Sequence, residues 1–274
     1  MQHAGLRPVI ASEVSWPAAG GATVSAPAGD EATGDGSQPV SAVVQGLGRQ
    51  LTVADFEVAA RLIDEGAAWV VTNADMSLPL QWGTAPGNGA YVDILRTSTG
   101  REPVAVAGKP EPPLYDLAVD RLGTEPRRTL ALGDRLDTDI AGARAAGLDS
   151  AWVLTGVDTP SALLETDLDP TFVIATVSDL LRPYAVPSAH DGTWRCGSAT
   201  ARVEGGALHL DRGGSEPIEA LRAGLAALME LRDAAPRGGG GDRSAGNGAD
   251  ASTAHLLRSG GALLDDLMSS ADDS

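Results

Sequence analysis

Between residues 40 and 175, short blocks rich in β-branched residues alternate with longer stretches of helical spacing. The pattern predicts strands in SAVVQGL (41–47), AAWVVTN (67–73), EPVAVAGKP (102–110), RTLALGD (128–134), DSAWVLTG (149–156) and PTFVIA (170–175). Between them, TVADFEVAARLIDEG (52–66), AYVDILRTSTG (90–100), EPPLYDLAVDRLG (111–123), DTDIAGARAAG (137–147) and PSALLETD (160–167) read as helices. Thr52 is placed to cap the first of these and Gly147 to close the fourth. Strands alternating with helices of this length imply βαβ units and a mostly parallel sheet, an α/β fold. Ligands of such sheets lie beyond the carboxyl ends of the strands. Two of those ends carry GK at 108–109 and GD at 133–134.

The flanks read differently. Residues 10–39 have no apolar period and are rich in Ala, Gly, Ser and Pro, as expected of a disordered insert or linker. After Pro187, TARV and ALHL flank EGG as a hairpin, and EPIEALRAGLAALMELRD (216–233) is an amphipathic helix with Ser215 as its expected cap. This is a small βα appendage. Residues 236–254 read as a flexible linker, and HLLRSGGALLDDLM (255–268) as a short, marginal helix at most.

Charge narrows the range of partners. A formal net charge of −17 denies the chain the basic field that phosphate backbones or anionic lipid require, which argues against nucleic acid and membrane surfaces. No apolar run approaches the ~20 residues of a membrane-spanning helix, and the start lacks the apolar block of a signal peptide, so a cytoplasmic protein is expected. Cys196 is the single cysteine, which rules out an internal disulfide and a thiolate metal cage. It reads as an inert small hydrophobe. Lys109 is the one lysine against nineteen arginines.

The segment TLALGDRLDTDI (129–140) carries the chemistry. Its strand delivers Asp134 to a carboxyl end, and Asp137 and Asp139 follow at the start of the next helix. Asp137 is accounted for as a helix cap, a role that helix starts favour by ~0.3–1 kcal/mol. Asp134 is not, because a carboxylate beside other acids at a sheet edge needs a cation. Mg²⁺ prefers hard oxygen ligands, keeps several waters and binds through one or two carboxylates plus a substrate phosphate. Lys109, at another strand end, can neutralise a phosphate or hold a carboxylate in place.

With these residues together the chain resembles the haloacid dehalogenase superfamily of phosphatases, and within it the class IIA, NagD-like branch with an α/β cap. GKP at 108–110 looks like the family's third motif and GDRLDTDI at 133–140 like its fourth, continued by AGARAAGLDSAWVLTGV; TNADMSLP at 72–79 and PGNGA at 86–90 look like the cap segment. The resemblance covers about residues 40–185. It implies a partial Rossmann-like parallel sheet with a cap. The expected division is a disordered 1–39, an α/β cap over 40–107, the carboxyl-terminal half of the core over 108–185, the appendage over 186–235 and a disordered 236–274. It further implies Asp134 as a direct Mg²⁺ ligand and Asp139 as support for the metal through water or by orienting Lys109. Lys109 would stabilise the nucleophile and the transferring phosphoryl group, and Asn73 and Asp75 would face the substrate from the cap. For Asn73 and Asp75 the bland reading, ordinary turn formers after a strand, stands beside it.

The family's reaction begins with an aspartate nucleophile in a DxDG motif at the end of the first core strand. No such motif stands before residue 40, where GDEATGDGSQ lacks a preceding apolar strand; at HDGT (190–193) the position two before Asp191 is Ala189, the flank VPSAH does not read as a strand, and the order along the chain is wrong. The expectation is therefore a truncated chain, inactive alone, whose full-length form hydrolyses small phosphorylated metabolites of the glycerol phosphate or phosphoglycolate kind through an aspartyl phosphate. An amino-terminal complementing fragment or a second copy of the chain is the expected partner, because the edge of RTLALGD would otherwise stand open. The rival is a non-catalytic protein that binds or senses phosphometabolites. A third reading, an acidic interaction protein built on the 216–233 helix, would have residues 187–274 bind a partner by themselves.

Overall fold

The structure, a computed structural model, describes residues 8, 11, 14–15, 23–25, 37–235 and 251–272. The chain divides into two units, Met1–Ala118 and Val119–Ser274.

The first unit opens with three short strands, β1 (Val14–Ser15), β2 (Thr23–Ser25) and β3 (Ser37–Pro39), paired antiparallel in that order. They stand inside the stretch expected to lack structure; its residues 16–22 and 26–36 lie outside the described residues. β4 (Ala42–Gln45) leads into α1 (Val53–Asp64), whose start is a capping box. The Asp55 backbone N–H donates to the Thr52 hydroxyl oxygen, and the Thr52 N–H donates to the Asp55 carboxylate at 2.7 Å, as the position of Thr52 predicts. β5 (Ala68–Val71) follows, then a hairpin of β6 (Ser77–Leu80) and β7 (Gly83–Pro86), α2 (Asn88–Thr99) and a short β8 (Ala105–Val106). β4, β5 and β8 form a parallel sheet in that order. Ile63, Trp69, Val71, Val92 and Leu95 form the buried core of this unit. The buried Trp69 indole N–H is satisfied by the Gln45 side-chain oxygen at 3.0 Å.

From α3 (Pro113–Leu122) the chain enters the second unit. β9 (Leu130–Gly133) ends in a wide turn over Leu136–Ile140 that runs into α4 (Ala141–Ala145). β10 (Asp149–Val153), α5 (Pro160–Leu164) and β11 (Phe172–Ile174) complete a parallel sheet ordered β11-β10-β9. Central β10 is buried from Ser150 to Val153, as a parallel strand covered on both faces requires. Among the described residues β9 pairs with β10 alone, and Leu132 is 41% exposed.

The appendage is an antiparallel meander of β12 (Ser188–His190), β13 (Thr193–Cys196), β14 (Ala199–Glu204) and β15 (Ala207–Asp211), backed by α6 (Pro217–Ala234). α6 has two apolar faces. Ala223 and Ala227 pack with Cys196 and Ala201 of the meander, while Leu221, Leu225 and Leu228 join Trp152, Leu163 and Val173 of the parallel sheet and its helices. The Arg222 guanidinium Nε donates to the Val173 carbonyl at 2.9 Å and lies 3.9 Å from the Tyr184 ring centre. Parallel sheet and appendage thus share one core.

Several local expectations are corrected. The tail is not a marginal helix: α7 (Ala251–Asp272) runs for 22 residues and buries Leu256, Leu257 and Leu264 in that shared core. Of the expected linker over 236–254, residues 236–250 lie outside the described residues, while 251–254 are the first turn of α7. VPSAH does contribute a strand, β12, and HDGT is the turn to β13, with Asp191 (φ 48°) and Gly192 (φ 71°) both left-handed, the twist a tight hairpin demands. Ser215 does not cap α6. Glu216 holds the cap position without a side-chain bond, and the Ser215 oxygen instead accepts from the Ser198 and Ala199 N–H groups.

Candidate active site

In the first unit three of the five expected site residues meet at the carboxyl end of the parallel sheet. Asn73 and Asp75 follow β5, and the Asn73 amide nitrogen donates to the Asp75 carboxylate at 2.7 Å. Asn88, in the first turn of α2 and 1% exposed, donates its side-chain N–H to the Asn73 carbonyl at 2.7 Å. Glycines admit the close approach. A Cβ on Gly87 would fall on the Asp75 carbonyl, one on Gly89 on the Ala74 carbonyl, and one on Gly108 on the Thr72 carbonyl. Gly108 therefore seats the turn bearing the exposed Lys109 directly against the Thr72–Asn73 backbone. Asn88, an ordinary polar letter inside PGNGA, was not singled out by the sequence reading. A cavity of about 500 Å³ in the same unit flanks β4 and α1, lined by residues such as Val43, Phe56 and Leu62 but by none of the expected site residues.

In the second unit Asp134 leaves the end of β9 half-buried, fixed from two sides. Its backbone carbonyl accepts from the buried Trp152 indole N–H at 3.1 Å, and its carboxylate accepts from the Val157 N–H at 3.3 Å. Asp139 is 5% exposed, and its carboxylate accepts from the Arg135 N–H at 3.2 Å, across the wide turn in which the Ile140 N–H reaches back to the Arg135 carbonyl. Both acids rest on glycine: a Cβ on Gly156 would occupy the Asp134 carboxylate, and one on Gly133 the Asp139 carboxylate.

Asp137 is not a helix cap. Arg135 holds that position, and its guanidinium grips the Asp137 carboxylate through two bonds, of 3.0 and 2.7 Å. The Arg135 hydrogen bonds hold the Asp137 carboxyl below the usual carboxylate range. Asp158, which the sequence reading passed over, accepts the Leu136 N–H at 2.6 Å.

The donor set fits Mg²⁺. Asp134 offers a hard carboxylate at a strand end, with Asp139 behind it, and Mg²⁺ takes one or two carboxylates and fills its remaining positions with water and phosphate oxygens. Among the described residues no three His, Cys, Asp or Glu side chains converge to cage a metal, and no helix is long and apolar enough to cross a membrane.

Comparison with known proteins relates part of the chain to a family. Residues 106–180 match the HAD-hydrolase-like family model. Over 118 residues the chain is 52% identical to a D-glycerol 3-phosphate phosphatase of Mycobacterium tuberculosis, covering 43% of this chain and 33% of that protein. Over its matched residues the chain is similar to the haloacid dehalogenase superfamily, in its class IIA branch.

A 5'-nucleotidase of Bacillus subtilis is 36% identical over 149 residues, 54% of this chain and 57% of its own length. The crystal structure of a glycerol phosphate phosphatase from Mycobacterium tuberculosis in complex with magnesium superposes with a TM-score of 0.56 at 36% identity, covering 69% of this chain and 56% of that one. The chain thus spans from a third to just over half of the curated relatives it matches, between 33% and 57%.

Proposed function

We propose that this chain supplies the cap and the metal-binding half of a Mg²⁺-dependent phosphatase of small phosphorylated metabolites. The observation that carries the reading is the Asp134 carboxylate, delivered by β9, seated on Gly156 and held by the Val157 N–H, with the buried Asp139 behind it. Bound Mg²⁺ would supply charge neutralisation to a phosphate at that rim. Asp134 would ligate it directly. Asp139 would brace the turn through the Arg135 N–H and reach the metal only through water. Lys109 would hold phosphoryl charge, and Asn73 and Asp75 would meet the substrate from the cap. The magnesium complex of the glycerol phosphate phosphatase supports the choice of ion. The 52% identity to the D-glycerol 3-phosphate phosphatase makes glycerol phosphate the first substrate to try.

In this family a carboxylate in a DxDG motif attacks phosphorus and forms an aspartyl phosphate; the sequence of this chain contains no DxDG. By itself it is therefore proposed to bind Mg²⁺ and phosphate without turnover, and the open side of β9 is the place for a strand from an amino-terminal fragment. Calorimetric titration of the purified chain with Mg²⁺, alongside a glycerol phosphate hydrolysis assay, tests this. Binding lost in Asp134→Asn and turnover no greater than in that variant are expected. Hydrolysis that depends on Asp134 would overturn the claim of inactivity, and absence of Mg²⁺ binding would overturn the metal assignment.

A further inference from the structure

Two loops at the carboxyl ends of β9 and β10 exchange hydrogen bonds. The Val157 N–H donates to the Asp134 carboxylate at 3.3 Å, and the Leu136 N–H donates to the Asp158 carboxylate at 2.6 Å. Each loop thus contributes one acid and one backbone amide to the other. The Leu136 amide is the first donor of the Leu136–Ile140 turn, where no earlier turn supplies an acceptor. Leu136 is 3% exposed, so without Asp158 that amide would be buried away from water with nothing to bond. Its position is mechanically central. Two residues before it stands Asp134, and three after it Asp139, already tied to the Arg135 N–H. Asp158 in turn is anchored from behind, because the next residue, Thr159, caps α5 by accepting the Ala162 N–H.

We infer that Asp158 is a positioning residue for the metal loop: by taking the Leu136 N–H it fixes the backbone between Asp134 and Asp139 and so sets the aim of the Asp134 carboxylate. The inference rests on the proposed metal-binding role of Asp134 and deepens it. Asp158 acts through the backbone of another residue, as the partners behind metal ligands commonly do.

Mn²⁺ provides the probe, because free Mn²⁺ is read directly by electron paramagnetic resonance in the presence of the full chain. Wild type, D134N, D158A and D158N are titrated, with circular dichroism to establish folding. Asparagine at 158 keeps an oxygen for the Leu136 N–H but removes the charge, and so separates hydrogen bonding from electrostatics. Wild type should bind Mn²⁺ and D134N should not. D158A should bind about tenfold to a hundredfold more weakly, and D158N should recover most of that loss. The Leu136 amide should exchange with solvent faster in D158A and near the wild-type rate in D158N.

Equal affinity of D158A and wild type would overturn the positioning role while leaving the metal site standing. D158N as weak as D158A would overturn it too, since the acceptor is retained there. Should D158A fail to fold, D158N decides alone: affinity within threefold of wild type supports the role, and a larger loss overturns it. If wild type takes up no Mn²⁺, the metal assignment falls and this inference with it.

Discussion

The indole N–H of Trp152 donates to the backbone carbonyl of Asp134 at 3.1 Å, so a ring with no exposed surface, on the central strand, fixes the main chain of the candidate metal ligand. Core packing and the backbone at the end of β9 are thereby joined in one bond. Trp152→Phe keeps an aromatic ring but leaves the Asp134 carbonyl without this donor. Unfolding free energy should fall by about 1–3 kcal/mol, read by urea titration, and Mg²⁺ affinity should weaken in the same protein.

Gly156 makes a sharper test, because its backbone is not left-handed and the atoms nearest to an added side chain all belong to Asp134. Gly156→Ala should displace that carboxylate and weaken Mg²⁺ binding by about tenfold or more, while the far-ultraviolet circular dichroism stays that of wild type. Unchanged binding by calorimetry would show that the carboxylate has another place to go.

Leu264 of α7 has no exposed surface and packs against Gly224 of α6. Leu264→Ala should cost about 2–5 kcal/mol, measured by denaturant titration. A tail that only touched the surface would lose less than about 0.5 kcal/mol.

Burial pushes the Cys196 thiol above its ordinary value, with Arg222 pulling the other way. A group whose folded pKa is raised stabilises the fold below its unfolded pKa, and that contribution disappears as pH rises through the folded one. Stability should therefore decline as pH passes about 8.5, and Cys196→Ala should flatten that decline. The native thiol should also alkylate slowly near neutral pH and quickly in urea, as a mass-spectrometric time course will report.

Much of the fold was legible because its signals are local. The Thr52–Asp55 capping box lies within one turn, the apolar runs of β5, β9 and β10 are uninterrupted, and the left-handed Gly147 ends its helix where the pattern stops. Asp134 could be found because a strand-end acid has no structural excuse. Asp158 could not, since its partner is a backbone amide 22 residues earlier and an acid before Thr-Pro reads as a turn. α7 was hidden for the opposite reason. Gly260 and Gly261 lower its intrinsic helix propensity, yet they are what lets it approach: a Cβ on the first would press on Leu228, and on the second on Ser161. Packing outweighs propensity there, and packing is not written in any one segment. β12 escaped notice because its three residues are all exposed and their pairing with β13 leaves no apolar trace.

Asp265 of α7 accepts both the backbone N–H and the hydroxyl of Ser161, at 2.9 and 2.6 Å, just inside the start of α5 and three residues beyond Asp158. Trimming the protein back to its family-like portion would therefore do more than shorten it: the first turn of α5 would lose its acid, and the apolar side of α6 would be laid bare to water. Anyone preparing the second unit for crystals or for titration should keep the polypeptide through Asp272, and should put any purification tag at the other end.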